Sequence, residues 1–208
     1  MNRQRLITRT LRLRLFFSFF VFFSFCLFCF SSLFCLNSQA AIVIGNPNGK
    51  VTLTEVFDYQ CPHCHRMYPL IEELIDQHPN LKVRLLPVAI LNQTSLVEAA
   101  AAIAATQLPG KFQALSNIMM SARITTENAV YAVLKQLGLN TQDFQKAMHS
   151  KRVKKQMIEG LNTLKKYQAD GVPLLVISPT NRPAEEVIFE GEQSLITLEE
   201  AINHASVN

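Results

Sequence analysis

The stretch VTLTEVFDYQCPHC, residues 51–64, decides how this chain is read. Its first nine residues, Val51 to Tyr59, are rich in β-branched and aromatic side chains and predict a buried strand. The strand runs straight into Cys61-Pro62-His63-Cys64. From Pro62 to Gln77 the spacing becomes helical, with Met67, Leu70, Ile71, Leu74 and Ile75 on one apolar face. Pro62 suits the first turn, where its missing N–H costs nothing, and Pro69 is expected to kink the helix. Two cysteines three residues apart therefore fall at a strand-to-helix junction.

Outward from this stretch, the other three cysteines (Cys26, Cys29, Cys35) lie in a leader. Residues 1–14 carry five arginines and no acid, and residues 15–36 are a 22-residue apolar run with ten phenylalanines. Ser38 and Ala40 supply small side chains before a cut at Ala40/Ala41, so residues 1–40 read as a signal peptide. An uncleaved anchor is the alternative, because the run is long enough to span a bilayer. Either way the remainder is exported, and the periplasm by the Sec route is the expected location. An exported domain with one C-x-x-C and no other cysteine has no disulfide framework to build, so the pair points to redox chemistry.

The basic pI of 8.9 belongs to the leader: without its five arginines, 15 basic residues face 16 acidic ones. That balance gives no reason to expect a nucleic-acid partner. The 168 residues from Ala41 suffice for one domain with a real core. Ile42-Val43-Ile44 is a short β-run. Leu81 to Ile90 is a strand interrupted by Pro87, and residues 172–177 and 187–189 are two more. Residues 93–168 are helical instead, with candidate helices at 94–106, 110–121, 126–138, 141–148 and 150–168. Thr197 is the expected N-cap of a last helix at 198–205.

A C-x-x-C at the first strand–helix junction of a β-β-α-β unit is a thioredoxin-like redox signature. The chain resembles the DsbA-like thiol:disulfide oxidoreductases. The resemblance rests on FDYQCPHC at 57–64, Glu55 six residues before Cys61, the helical block, and Gly171-Val172-Pro173. It implies an α/β thioredoxin-like fold, a central mixed sheet flanked by helices, with an inserted all-helical subdomain. The expected divisions are a first thioredoxin-like part at 41–92, the helical insertion at 93–168 and a second thioredoxin-like part at 169–208.

Disulfide exchange needs a thiolate, an accessible sulfur and a second thiol nearby. Cys61 is expected at the helix N-terminus, where unpaired N–H groups and the dipole favour negative charge. His63 adds a donor or a positive charge beside it. Both effects lower the Cys61 pKa and stabilise the dithiol over the disulfide, which makes the protein an oxidant. DsbA itself is the reference case for that logic. Cys64, one turn on, is expected to be the more buried resolving thiol. On the preceding strand, alternation points Glu55 with Leu53 and Phe57. A buried carboxylate there would have a raised pKa and could shuttle a proton to or from Cys64, with Lys82 or Arg84 as its partner. A solvent-facing Glu55 is the bland alternative.

The resemblance implies more. Val172-Pro173 should be a cis bond facing the disulfide, with the Val172 backbone free to pair with an extended substrate segment. Together with Pro62, these two residues form the expected substrate site. Valine before that proline goes with the oxidases of the family. Reduced secreted or periplasmic proteins are the implied substrates, and a DsbB-like quinone-linked membrane oxidase the implied partner. A monomer is expected, with no bound cofactor and no metal.

Rival readings exist. A reductase or isomerase of the same fold is the nearest, although the short segment between Ala41 and the first core strand leaves little room for a dimerisation element. Cys61-Pro62-His63-Cys64-His65 also matches the c-type haem motif C-x-x-C-H, with His65 as ligand, but the motif follows a strand and its first x is proline. A zinc site would lack a fourth ligand at usable spacing. His65 is expected on the exposed side of the helix, and His78, His149 and His204 at the surface. The basic cluster from Lys151 to Lys155 is read as a solvated helix face, and Met67, Met119, Met120 and Met157 chiefly as core.

Overall fold

A computed structural model describes residues 41–122 and 124–207. The leader at 1–40, with its expected cleavage site and three cysteines, lies outside the described residues. The described elements run β1 (Ile42–Gly45), β2 (Val51–Phe57), α1 (Pro62–Gln77), β3 (Leu81–Pro87), α2 (Gln93–Ala105), α3 (Lys111–Ser121), α4 (Glu127–Gln136), α5 (Gln142–Met148), α6 (Lys151–Tyr167), β4 (Leu174–Pro179), β5 (Val187–Glu190) and α7 (Leu195–Val207).

The five strands form one mixed sheet in the order β1-β3-β2-β4-β5. Strands β2 and β3 are parallel and joined by α1; the other pairings are antiparallel. This is the expected thioredoxin-like arrangement. Five helices stand between β3 and β4, and each begins and ends within two residues of its predicted span. Their starts are locally encoded. Asn92, Thr126, Thr141 and Ser150 each accept a backbone N–H of the first turn, which satisfies donors the helix itself leaves open.

Two apolar layers sandwich the sheet. Leu53 and Phe57 of β2, with Val83, Leu85, Leu175 and Ile177, belong to the large core that includes α1, α2 and α7. On the opposite face Val56, Leu86, Leu174 and Val176 pack with Val88 and with Leu164 of α6. The close approach of α6 depends on Gly160, where a Cβ would stand 2.5 Å from Val88 Cγ1. Helix α2 is buried on nearly every side, since its alanines let neighbouring helices come close.

Two local expectations are corrected. Pro87 ends β3 rather than interrupting a longer strand, although Val88 still donates to the Phe57 carbonyl at 2.8 Å. The last helix starts at Leu195, because the Ser194 hydroxyl, not Thr197, accepts the first-turn Thr197 N–H at 3.2 Å. No helix among the described residues is long and apolar enough to cross a membrane.

Candidate active site

Strand β2 ends at Phe57, and Asp58 builds the turn that follows. One carboxylate oxygen accepts from Gln60 N at 2.9 Å, and the other accepts from Ile90 N at 2.9 Å and Leu91 N at 3.2 Å. An Asx turn thus ties the C-terminal end of β2 to the chain beyond β3. Cys61 then serves as N-cap of α1 in an extended conformation, and its side chain makes no capping bond to the backbone. The first-turn N–H groups of His63 and Cys64 are left to serve the Cys61 sulfur.

The two sulfurs have opposite preferences. Cys61 is lowered to about 6, first by a hydrogen bond from the Cys64 thiol, then by the N–H groups of Cys64 and His63 and by the charge of His63, while burial opposes. Cys64 is fully buried, and burial drives its pKa strongly upward, reinforced by its bond to Cys61. The sequence points to the helix terminus and His63 for the low Cys61 pKa; the neighbouring thiol adds the largest single contribution. Cys61 itself is only 5 % exposed, and its thiol donates to the Val172 carbonyl at 3.4 Å. Both cysteines are free thiols. The Val172-Pro173 peptide is cis and lies against Cys61, where the resemblance implied it. Pro62 is exposed at the first turn of α1.

Glu55 is 1 % exposed and shares the Leu53–Phe57 face of β2. Burial, aided by charge on Cys61, pushes it up to about 8. Its Oε1 has no hydrogen-bond partner among the described residues. The expected Lys82 or Arg84 partner is corrected. In parallel register Thr52 and Thr54 pair with Lys82 and Arg84, so both cations project to the other face of the sheet, and Arg84 pairs with Glu159 at 2.8 Å. The expectation failed because strand alternation separates neighbours of opposite parity.

His63 is exposed, and its Nδ1 lies 3.1 Å from Glu192 Oε2 and 2.8 Å from Arg66 Nη2. His65 is half-buried rather than exposed, because its Nε2–H donates to the Tyr59 carbonyl. His78 is likewise half-buried, whereas His149 and His204 are exposed. Met67, Met119 and Met120 are core, and Met157 packs at its edge.

Sequence reasoning missed four residues here. Asp58 had a readable signal in Asp58-x-Gln60. Glu98 had one too, as a lone charge in the apolar run of α2. It is fully buried, pushed up to about 7 by burial, and its Oε2 accepts from Gln60 Nε2 at 2.8 Å. The same Gln60 amide donates to Ile124 O at 2.8 Å, which fastens the active-site turn to the helical block. Arg66 and Glu192 meet across 126 residues, and nothing local marks that pairing. A cleft of about 420 Å³ opens at the start of α1, between Gln60, Pro62 and Arg66 on one side and Ser121, Ile124 and Thr125 on the other.

A buried dithiol at a strand–helix junction, split between an acidic outer sulfur and a neutral inner one, on a thioredoxin fold, defines a thiol–disulfide exchange protein by class. The match is specific: residues 52–203 fit the DSBA-like thioredoxin domain, and the chain belongs to that family. It is 30 % identical over 141 residues to the thiol:disulfide interchange protein DsbA of Burkholderia cepacia, covering 64 % of this chain and 66 % of that protein. A thioredoxin-like oxidoreductase from Silicibacter pomeroyi DSS-3 superposes with a TM-score of 0.73 at 28 % identity, covering 83 % of this chain and 95 % of that one. The catalytic domain of Proteus mirabilis ScsC shares the fold, with a TM-score of 0.69 at 23 % identity over 83 % of this chain and 93 % of that one.

Proposed function

We propose that this protein is an exported protein-disulfide oxidase, which donates the Cys61–Cys64 disulfide to reduced secreted proteins in the periplasm. The observation that carries this reading is the placing of the two sulfurs: Cys61 caps α1, which favours its thiolate, and Cys64 is fully buried, which favours its neutral thiol. An anionic Cys61 and a neutral Cys64 make the dithiol the comfortable state, so electrons flow into the protein.

In the oxidised protein a substrate thiolate attacks Cys61 Sγ. The Cys61–Cys64 bond breaks, a substrate–Cys61 mixed disulfide forms, and the bonding pair leaves on Cys64. The departing Cys64 sulfur is buried and needs a proton. Glu55, raised to about 8 and therefore mostly protonated at neutral pH, supplies it. A second substrate thiolate then attacks the substrate sulfur and releases the Cys61 thiolate, so two substrate thiols become one disulfide and the protein ends as the dithiol. His63 and the first-turn N–H groups hold that thiolate. Val172, beside Cys61 at the cis peptide with Pro173, offers its carbonyl to an extended substrate segment, and the cleft lined by Pro62 offers that substrate a further surface. Renewal of the disulfide requires an outside oxidant, for which a DsbB-like quinone-linked membrane protein fits. The working unit is taken as a monomer.

Reoxidation of reduced ribonuclease, set against repair of scrambled ribonuclease, tests the reading. Fast reoxidation with weak repair is expected. The reverse ranking, or an equilibrium with glutathione that favours the disulfide, would make the protein a reductase or isomerase instead.

A further inference from the structure

The loop between β5 and α7 places a carboxylate over the active-site helix. Gly191, at φ 77°, makes the left-handed turn out of β5, and its N–H donates to the Pro173 carbonyl at 2.8 Å. Two residues on, Gln193 N–H donates to the buried Met67 Sδ at 3.3 Å. Glu192 is therefore pinned on both sides, to the residue that follows Val172 and to the core face of α1. Its carboxylate accepts from Arg66 Nε at 2.9 and 2.8 Å, with Arg66 Nη2 2.7 Å from Oε2 and His63 Nδ1 3.1 Å away. Arg66 and His63 are one helical turn apart in the opening turns of α1, the helix that Cys61 caps.

Taking the oxidase reading as its basis, we propose that Glu192 is a positioning residue that restrains the oxidising strength of the dithiol by neutralising Arg66 near the N-terminus of the helix that Cys61 caps. Arg66 stands in the second turn of the helix that Cys61 caps, with its Nη2 2.8 Å from the Nδ1 of His63, so its charge sits at the helix end that holds the thiolate. Alone, it would add a permanent positive charge to the helix N-terminus and to the imidazole, and would hold the thiolate more tightly. The Glu192 carboxylate, itself held down to about 2 by these two partners, stays ionised through the working pH range and cancels that charge. The restraint is set by a loop far from the C-x-x-C in sequence, so it tunes the couple without altering the dipeptide between the cysteines.

The test uses three variants of the full chain: Glu192→Gln, Arg66→Gln and the double substitution. The readouts are Cys61 ionisation, by ultraviolet absorbance, and the equilibrium constant with glutathione. E192Q keeps the shape and removes the charge. It should lower the Cys61 pKa by about half a unit and shift the glutathione equilibrium about threefold toward the dithiol. R66Q should shift both quantities the opposite way, and the double variant should return close to the parent. The E192Q shift should persist in a His63→Ala background and shrink at high salt. A change of the same sign in E192Q and R66Q, or none in E192Q, overturns the proposal. A parent Cys61 that ionises near the ordinary 8.5 would instead sink the oxidase reading, with the opposed signs of the two variants still deciding the role of Glu192.

Discussion

Glu55→Gln should make the protein more stable, by an amount that depends on pH. In the unfolded chain this carboxyl ionises near 4.5, whereas burial in β2 raises it to about 8. A raised carboxyl favours the fold fully only below its unfolded value; stability is lost as pH rises from 4.5 toward 8, where the native protein still resists ionisation. At about 1.4 kcal/mol per pH unit, keeping Glu55 neutral at pH 7 costs about 3 kcal/mol, and almost nothing at pH 4. Glutamine removes that pH dependence and keeps the shape. The buried amide adds only an offset that does not vary with pH. Glu98, also raised by burial, is present in both proteins and cancels in the difference. Urea unfolding of the dithiol form, under reductant at pH 4 and pH 7, measures it. The stability difference between variant and parent should grow by about 3 kcal/mol, which is a midpoint shift of roughly 1.5 M urea at an m-value of about 2 kcal/mol/M. A difference that stays constant between the two pH values would refute the assignment of Glu55 as a buried, mostly neutral acid.

Three further outcomes follow from the same geometry. Alkylation of Cys61 should reach half its plateau rate near pH 6 and fall about tenfold per pH unit below that, while Cys64 stays unreactive in the native protein. Given a disulfide-bonded substrate, Cys64→Ser should accumulate a mixed disulfide, because the Cys61 thiolate opens the substrate disulfide, keeps one substrate sulfur and releases the other as a thiol with no Cys64 to resolve the adduct; it is visible on a non-reducing gel, and Cys61→Ser should form none. Gly160→Ala drives a Cβ to 2.5 Å from Val88 Cγ1 and should lower stability by about 1–3 kcal/mol, read as a lower Tm.

Much of the architecture was legible because its signals are local. Strand composition in β2 and β3, the five helices of the block at 93–168, and the helical spacing after Pro62 each depend on residues within a turn or two. Ser194 was passed over because Ser194 and Thr197 are both good caps and the choice depends on where β5 releases the chain. The Cys61/Cys64 pair was visible for the same local reason. Its surroundings were not: the Lys82 or Arg84 partner for Glu55 was wrong because a parallel neighbour's register decides which residues share a face.

By itself the amino-acid order determined that a dithiol would sit at the tip of a helix behind a buried strand, since periodicity and turn chemistry act over a few residues. Only the folded chain decided how that dithiol is tuned. The Cys64 thiol makes the largest single contribution to lowering the Cys61 pKa, the Val172 carbonyl meets its sulfur from 111 residues away, and Glu192 closes on Arg66 across 126. Charges and hydrogen bonds act through space. Which of them reach one sulfur is therefore settled by packing, which no local pattern records.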